Sequence, residues 1–159
     1  MAAIEPIRTR RLLLAPLVAG DAEALAGLAD VLRADSVDAV RARFAAWESR
    51  RSPDGREAWL NWCVRRDGAA VGWVQATVRD RLAEVGYAVL PAERGHGYAA
   101  EAVGAVVHRL FRDGVERVEA HIAESNPASG RVAAAAGFHP GERFHDGEVV
   151  WEAVAPAAR

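Results

Sequence analysis

The chain has 159 residues, 51% hydrophobic and 26% charged, a composition that predicts one folded domain with a real core and excludes a disordered chain. Its net charge of −2 gives no reason to expect nucleic acid or an anionic membrane as a partner, and all its basic residues are Arg, with no Lys anywhere. Cys63 is the only cysteine, which excludes an internal disulfide and a cysteine-based metal site and makes the cytoplasm the expected setting.

The apolar run Leu12 to Ala15 is too short for a signal segment, and no stretch approaches the length needed to span a membrane. In chain order, "TRRLLLAP" (9–16) predicts a first strand closed by Pro16. Asp21 is an N-cap candidate for a helix to about Ala29, with Ala22, Leu25 and Leu28 on one side. Ser36 caps a second expected helix, from Val37 to about Arg50, in which Val37, Val40, Phe44 and Trp47 recur at helical spacing.

"SPDGRE" (52–57) is loop by composition. Two β-like runs follow, "AWLNWCVRR" and "AAVGWVQATVR", joined at Asp67-Gly68, a strong hairpin signal. In "AEVGYAVLP" (83–91), Val85, Tyr87 and Val89 alternate with Glu84, Gly86 and Ala88, so one face is bulky and the other small except for a carboxylate. A helix with a stripe from Ala99 to Leu110 ends near Asp113-Gly114. The strand "ERVEAHI", a small helix "SGRVAAAA" stopped by Gly137, and two strands turning at Asp146-Gly147 complete the chain. The order is that of one mixed domain spanning 1–159, with no repeat or linker.

Between the third β-like run and the long helix lies "AERGHGYAAEA" (92–102). Gly95 and Gly97 lack Cβ, so a ligand oxygen can approach the backbone closely, and Arg94 adds a positive charge beside the free N–H groups of the helix start. Such a site suits a phosphate or pyrophosphate. It is not a P-loop, because no Lys follows, and it lacks the third glycine of a dinucleotide fingerprint.

Arg94-x-x-Gly97-x-Ala99 resembles the acyl-CoA pyrophosphate loop of the GNAT N-acetyltransferase superfamily. "RTRRLLLAPL" resembles the opening strand of its RimJ/RimL-like, ribosomal-protein-alanine acetyltransferase branch. "AEVGYAVLP" resembles that branch's fourth strand, and "SNPASGRVAAAAGF" its Asn-x-x-Ser helix closing in Gly-Phe. These blocks cover nearly the whole chain in the right order.

The resemblance implies an α/β (α+β) fold: a mixed, mostly antiparallel sheet with splayed fourth and fifth strands and helices on both faces. It implies acetyl-CoA as cosubstrate. Ala88, Val89 and Leu90 are expected along the pantetheine arm, Arg94, Gly95, His96, Gly97, Tyr98 and Ala99 around the pyrophosphate, and Asn126 and Ser129 on the far side. The residues alone read Asn126-Pro127 and Ser129 equally as a turn leading into a capped helix. The implied reaction is direct acetyl transfer to a primary amine, a protein N-terminal α-amine or a small molecule. The alternative is a non-catalytic acyl-CoA-binding or sensor module of the same fold, and the family allows a homodimer.

The amine must be neutral to attack. Deprotonation at pH 7 costs about 1–1.4 kcal/mol for an α-amine and about 4.6 kcal/mol for a lysine-like amine. A weak base therefore suffices for N-termini. Glu84 is the first candidate for it, set against an exposed strand carboxylate, and His121 the second, set against a structural histidine. His108, His139 and His145 show no ligand spacing, so no metal is expected. Many superfamily members carry an acidic tyrosine seven residues after the Asn; here that position is Ala133, which leaves Ser129 or an unprotonated thiolate. Of the tryptophans, Trp59 and Trp62 face opposite sides of one strand, so at least one is available to an acceptor pocket.

Overall fold

The computed structural model describes residues 4–157. Eight strands form one sheet: β1 (Ile7–Arg8), β2 (Leu13–Pro16), β3 (Ala58–Arg66), β4 (Ala69–Arg79), β5 (Leu82–Val89), β6 (Arg117–Ala123), β7 (His139–His145) and β8 (Glu148–Val154). Their order is β1-β2-β3-β4-β5-β6-β8-β7, and every neighbouring pair is antiparallel except β5 with β6. Three helices accompany them, α1 (Val37–Trp47), α2 (Tyr98–Arg112) and α3 (Pro127–Ala135). The mixed, mostly antiparallel architecture is the expected one.

Local chemistry accounts for the boundaries. Asp67 (φ 49°) and Gly68 (φ 84°) form the two-residue turn that joins β3 to β4, and Asp146 (φ 49°) with Gly147 (φ 80°) repeats the device between β7 and β8. Ser36 Oγ accepts from the Ala39 N–H at 3.0 Å and starts α1. Gly137, with φ 99°, ends the stretch after α3.

The alternation of the strands builds two apolar layers. Trp62 and Val64 of β3, Val74 of β4 and Val85 of β5 pack against Ala102, Val103 and Val106 of α2. Cys63 and Trp73, one residue out of phase, face the other way and pack with Val40 and Phe44 of α1. Helices therefore cover both faces of the sheet, α2 and α3 on one and α1 on the other.

Two expected elements differ. The strand expected over 9–16 is strand only at Leu13–Pro16; the chain turns at Thr9 to Leu12, where the Thr9 N–H donates to the Leu12 carbonyl at 2.9 Å, back to a further strand at Ile7–Arg8. The segment 21–29 is not an α-helix but two 3-10 turns, Ala19–Asp21 and Ala26–Leu28. Asp21 is not an N-cap there: its carboxylate accepts from the Val18 N–H at 3.0 Å and pairs with Arg65 at 2.5 Å, so it belts a turn to β3. Gly27 is pressed against Leu90, whose Cδ2 lies 3.0 Å from where a Cβ would stand. Ala22, Leu25 and Leu28 are nonetheless all buried in the α1-side layer, as their spacing requires. Val37, expected in the α1 stripe, is exposed, and that helix ends at Trp47 rather than near Arg50.

Candidate active site

The decisive geometry lies between β5 and β6. They pair at Leu82↔Arg117, Ala83↔Val118 and Glu84↔Glu119, and no further. β5 continues to Val89 and β6 to Ala123 without a partner ladder between them, so the sheet parts just beyond Glu84. The Leu90 N–H donates to the Val71 carbonyl at 2.8 Å, across the β4 edge, and the Arg81 carbonyl accepts from Glu116 on the β6 edge. Strand alternation then directs the main-chain groups of Tyr87 and Val89 into the parting.

A cleft of about 620 Å³ opens there on the α2–α3 face. Of the residues expected to hold a cofactor, Ala88, Val89, Arg94, Gly95, Gly97, Tyr98, Ala99, Asn126 and Ser129 line it. Leu90 and His96 do not. Leu90 packs instead into the α1-side layer, and the exposed His96 ring stacks on Tyr98 at 5.3 Å. Tyr87 and Arg131 also line the cleft; sequence reasoning assigned neither to the site. Tyr87's position on the bulky face of that strand was the available signal.

The loop is built for an anion. Gly95 (φ 84°) and Gly97 (φ 79°) are both left-handed, and Gly97 caps α2 without any side-chain acceptor for the first-turn N–H groups. The helix terminus is worth about 0.3–1 kcal/mol to an anion. Arg94 is exposed beside it and its Nε donates to the Val89 carbonyl at 3.3 Å. Behind the loop, the Arg11 and Arg66 guanidinium groups lie 4.8 and 5.3 Å from the centre of the Tyr98 ring, and Arg66 also donates to the Tyr98 hydroxyl. Glu101, in the first turn of α2, is held by Thr9 (2.5 Å) and by Arg11 through N (2.9 Å) and Nε (2.7 Å). Burial pushes its carboxyl up, but the Thr9 and Arg11 hydrogen bonds outweigh that and hold it below its ordinary range.

Asn126 caps α3, its Oδ1 accepting from the Ser129 N–H at 3.1 Å, with Pro127 at the first helical position. Ser129 Oγ donates to the Tyr87 hydroxyl at 3.0 Å, and that hydroxyl donates to the Ser129 carbonyl at 3.0 Å. Burial pushes the Tyr87 hydroxyl up from its usual range, against the Ser129 hydrogen bond. Ala133 is wholly buried and brings no polar atom to the cleft.

Glu84 and His121, expected as alternatives for the base, are brought together on the opposite, α1-side face at the point of parting. His121 Nδ1 lies 3.2 Å from Glu84 Oε1, and its Nε2 lies 3.4 Å from Glu119 Oε1. Glu84 is exposed; Glu119 is buried. Trp59 and Trp62 do face opposite sides: Trp62 is buried in the α2-side layer and Trp59 is half-buried. No group of three His, Cys, Asp or Glu side chains suited to a metal ion occurs among the described residues.

A parted parallel strand pair with a phosphate-type loop at its mouth is a distinctive arrangement, and the comparisons agree with it. The family model described as "Acetyltransferase (GNAT) domain" matches residues 11–139. The chain belongs to the GNAT acetyltransferase family. Similar solved structures include RimJ from Mycobacterium smegmatis in complex with CoA-disulfide, at 21% identity and TM-score 0.74, covering 95% of this chain and 86% of that one. RimL, a ribosomal L7/L12 alpha-N-protein acetyltransferase in complex with coenzyme A, aligns at 14% identity and TM-score 0.77, over 94% and 98%. The aminoglycoside acetyltransferase AAC(6')-Ib, with paromomycin and acetyl-CoA, aligns at 17% identity and TM-score 0.71, over 89% and 92%. No curated protein matches at the sequence level. The GNAT fold is common to these chains, and these three solved structures carry CoA, its disulfide or acetyl-CoA.

Proposed function

We propose that this GNAT domain is an acetyl-CoA-dependent N-acetyltransferase acting on a primary amine, either a protein N-terminal α-amine or the amine of a small molecule. The observation that carries the reading is the end of the β5–β6 ladder at Glu84↔Glu119, with the Arg94–Ala99 loop at the mouth of the parting. Membership in a family whose solved neighbours hold CoA supports it, as do the RimL-type and aminoglycoside acceptors of those neighbours.

The residues present fit CoA. Two left-handed glycines, uncapped N–H groups and an arginine suit its pyrophosphate, and the β5 edge beyond the β6 ladder, at Tyr87 and the Val89 N–H, suits an amide-bearing arm. When bound, acetyl-CoA supplies an acetyl group activated on sulfur. Main-chain N–H groups facing the parting are the donors available to polarise a carbonyl there. Glu84, across the sheet from the cleft, takes the proton released by the attacking amine. The Ser129–Tyr87 hydroxyl pair is the nearby source of a proton for a departing thiolate, where other family members use the tyrosine replaced here by Ala133.

The acceptor side argues for a weakly basic amine. An α-amine needs only about 1–1.4 kcal/mol to lose its proton at pH 7, within reach of one carboxylate. The reading is tested by following free CoA thiol released from acetyl-CoA with a panel of peptides and small amines, next to calorimetric titration with CoA. Turnover with an N-terminal amine is the expected result. CoA binding without turnover of any amine would leave the alternative, a non-catalytic CoA-binding or sensor module; no CoA binding would remove both. In the cell we place the protein in the cytoplasm, where acetyl-CoA and a reduced Cys63 are compatible, and a homodimer remains the assembly its family suggests.

A further inference from the structure

Around His121 the side chains form a continuous chain that the acetyltransfer reading does not use. On β6, Glu119 is 7% exposed yet ionic: its Oε2 accepts from Arg143 of β7 at 2.6 Å and lies 3.4 Å from Arg117 Nε. Its other oxygen faces His121 Nε2. Arg143 also holds Glu152 of β8 at 2.8 Å, and the His145 ring of β7 lies 5.1 Å from that of His121. Burial pushes the Glu119 carboxyl up, but hydrogen bonds from Arg143 and His121 and the charges of Arg143 and Arg117 more than offset it, so it stays ionised. His121 thus meets Glu84 from β5, Glu119 from β6 and His145 from β7, with Arg117 and Arg143 behind Glu119 and Glu152 behind Arg143.

We propose that Glu119 is a positioning residue: by accepting the His121 Nε2–H it leaves Nδ1 as the basic end of the ring, aimed at Glu84, so that Glu84 and His121 share the proton taken from the acceptor amine. The inference rests on the acetyltransferase reading above. A neutral imidazole donates from one nitrogen and accepts at the other, so fixing the far nitrogen decides what the near one does. Arg143 occupies one Glu119 oxygen, which leaves the other for the ring.

The proton balance closes. The amine nitrogen bonds to the acetyl carbon as the carbon–sulfur bond breaks, and its electron pair leaves on sulfur. The nitrogen's proton passes to Glu84 and is shared with Nδ1. The sulfur gains a proton from the Ser129–Tyr87 hydroxyls, which solvent restores as Glu84 and His121 release theirs.

Glu119→Gln is the informative variant. Arg143 claims the single amide oxygen, so the NH₂ group turns to Nε2 and the ring must carry its proton on Nδ1 instead. Imidazole ¹⁵N–¹H correlations on the whole chain are expected to show an Nε2–H in the wild type and none in Glu119→Gln. In steady-state kinetics, Glu119→Gln and His121→Gln are each expected to lower kcat about ten-fold or more, with KM for acetyl-CoA within about two-fold. The double variant is expected to be no slower than the slower single one, because the two residues act as a unit. A wild-type ring protonated on Nδ1 alone, an unchanged kcat, or a double variant showing the full product of the two losses overturns the inference. The wild-type ring signal and the His121→Gln rate decide the matter even if Glu119→Gln does not fold. A wild-type chain that turns over no amine overturns the acetyltransferase reading and the relay with it. Turnover together with the wrong tautomer overturns the relay alone.

Discussion

The Tyr87 hydroxyl and Ser129 hold each other twice, the hydroxyl accepting from Ser129 Oγ at 3.0 Å and donating to the Ser129 carbonyl at 3.0 Å. This closed pair spans the parted sheet, from β5 to the first turn of α3. It puts two hydroxyls in the cleft from which Ala133 withholds one. Tyr87→Phe is therefore expected to lower kcat by about ten-fold while leaving CoA affinity within about three-fold, since the ring still packs and only the proton source is lost. Steady-state kinetics beside calorimetry check it. A loss of CoA affinity with kcat unchanged would mean that the hydroxyl serves binding only.

Glu84 lies on the opposite face of the sheet from the CoA-type cleft, at the last residue of β5 that pairs with β6. Its removal is expected to separate chemistry from cofactor binding. Glu84→Gln is predicted to reduce turnover ten-fold or more, the ordinary scale for loss of a general base, with CoA binding unchanged. An unchanged rate with the best amine of the panel removes Glu84 from the mechanism.

Arg94 is exposed at the mouth of the cleft, and among the described residues its side chain is engaged only through Nε, with the Val89 carbonyl at 3.3 Å. A charge in that position works through solvent, so its effect must depend on salt. Arg94→Ala is expected to weaken CoA binding by about ten-fold at low ionic strength and by distinctly less near 1 M salt, where the screening length falls to about 3 Å. Calorimetry at two salt concentrations measures this. A loss independent of salt would assign Arg94 to holding β5 rather than the anion.

The parts of this molecule legible in its residues are those set by neighbours in the chain. The β3–β4 hairpin follows from Asp67-Gly68, and the α2 start from Gly95 and Gly97, because positive φ is a local demand. The cleft lining followed from the family resemblance except at Leu90, whose side chain is taken up by the α1-side layer and by Gly27. Segment 21–29 misled because alanine and leucine at helical spacing also suit 3-10 turns. What decided there was Asp21 meeting Arg65, 44 residues away. The contact between Glu84 and His121, and the role of Glu119 behind them, depend on which strands lie side by side; no spacing within "AEVGYAVLP" or "ERVEAHI" announces that.

Cys63 is wholly buried on β3, and burial pushes its thiol up to about 12, with the Asp21 carboxylate adding to the effect. The thiolate is the reactive form, so at pH 8 it amounts to about one molecule in ten thousand, behind a packed core. The folded chain is expected to resist iodoacetamide at pH 8 and to be alkylated fully in urea, as read by mass spectrometry. Rapid labelling in native buffer would mean that the α1-side layer opens readily.

Glu101 ties the N-terminal strand region to α2 through Thr9 and Arg11, and its carboxyl sits below its ordinary value of 4.5. A carboxylate whose folded value is depressed stabilises the native state above its unfolded value; that contribution fades as pH falls below 4.5 and is gone once the folded value is passed. Wild type is therefore expected to exceed Glu101→Gln in unfolding free energy by about 1–2 kcal/mol near neutral pH, a partly exposed charged hydrogen bond being worth about that much. The two should converge on acidification below pH 4.5, and urea titrations at pH 7, 5 and 3.5 give the comparison. Arg11 also lies over Tyr98, the residue that follows Gly97. The same substitution is thus expected to loosen the phosphate-type loop, seen as weaker CoA binding at pH 7 with no change in the slope of the binding response to salt. A difference in stability that persists undiminished at pH 3.5 would mean that packing, not the ionised carboxylate, joins these two segments.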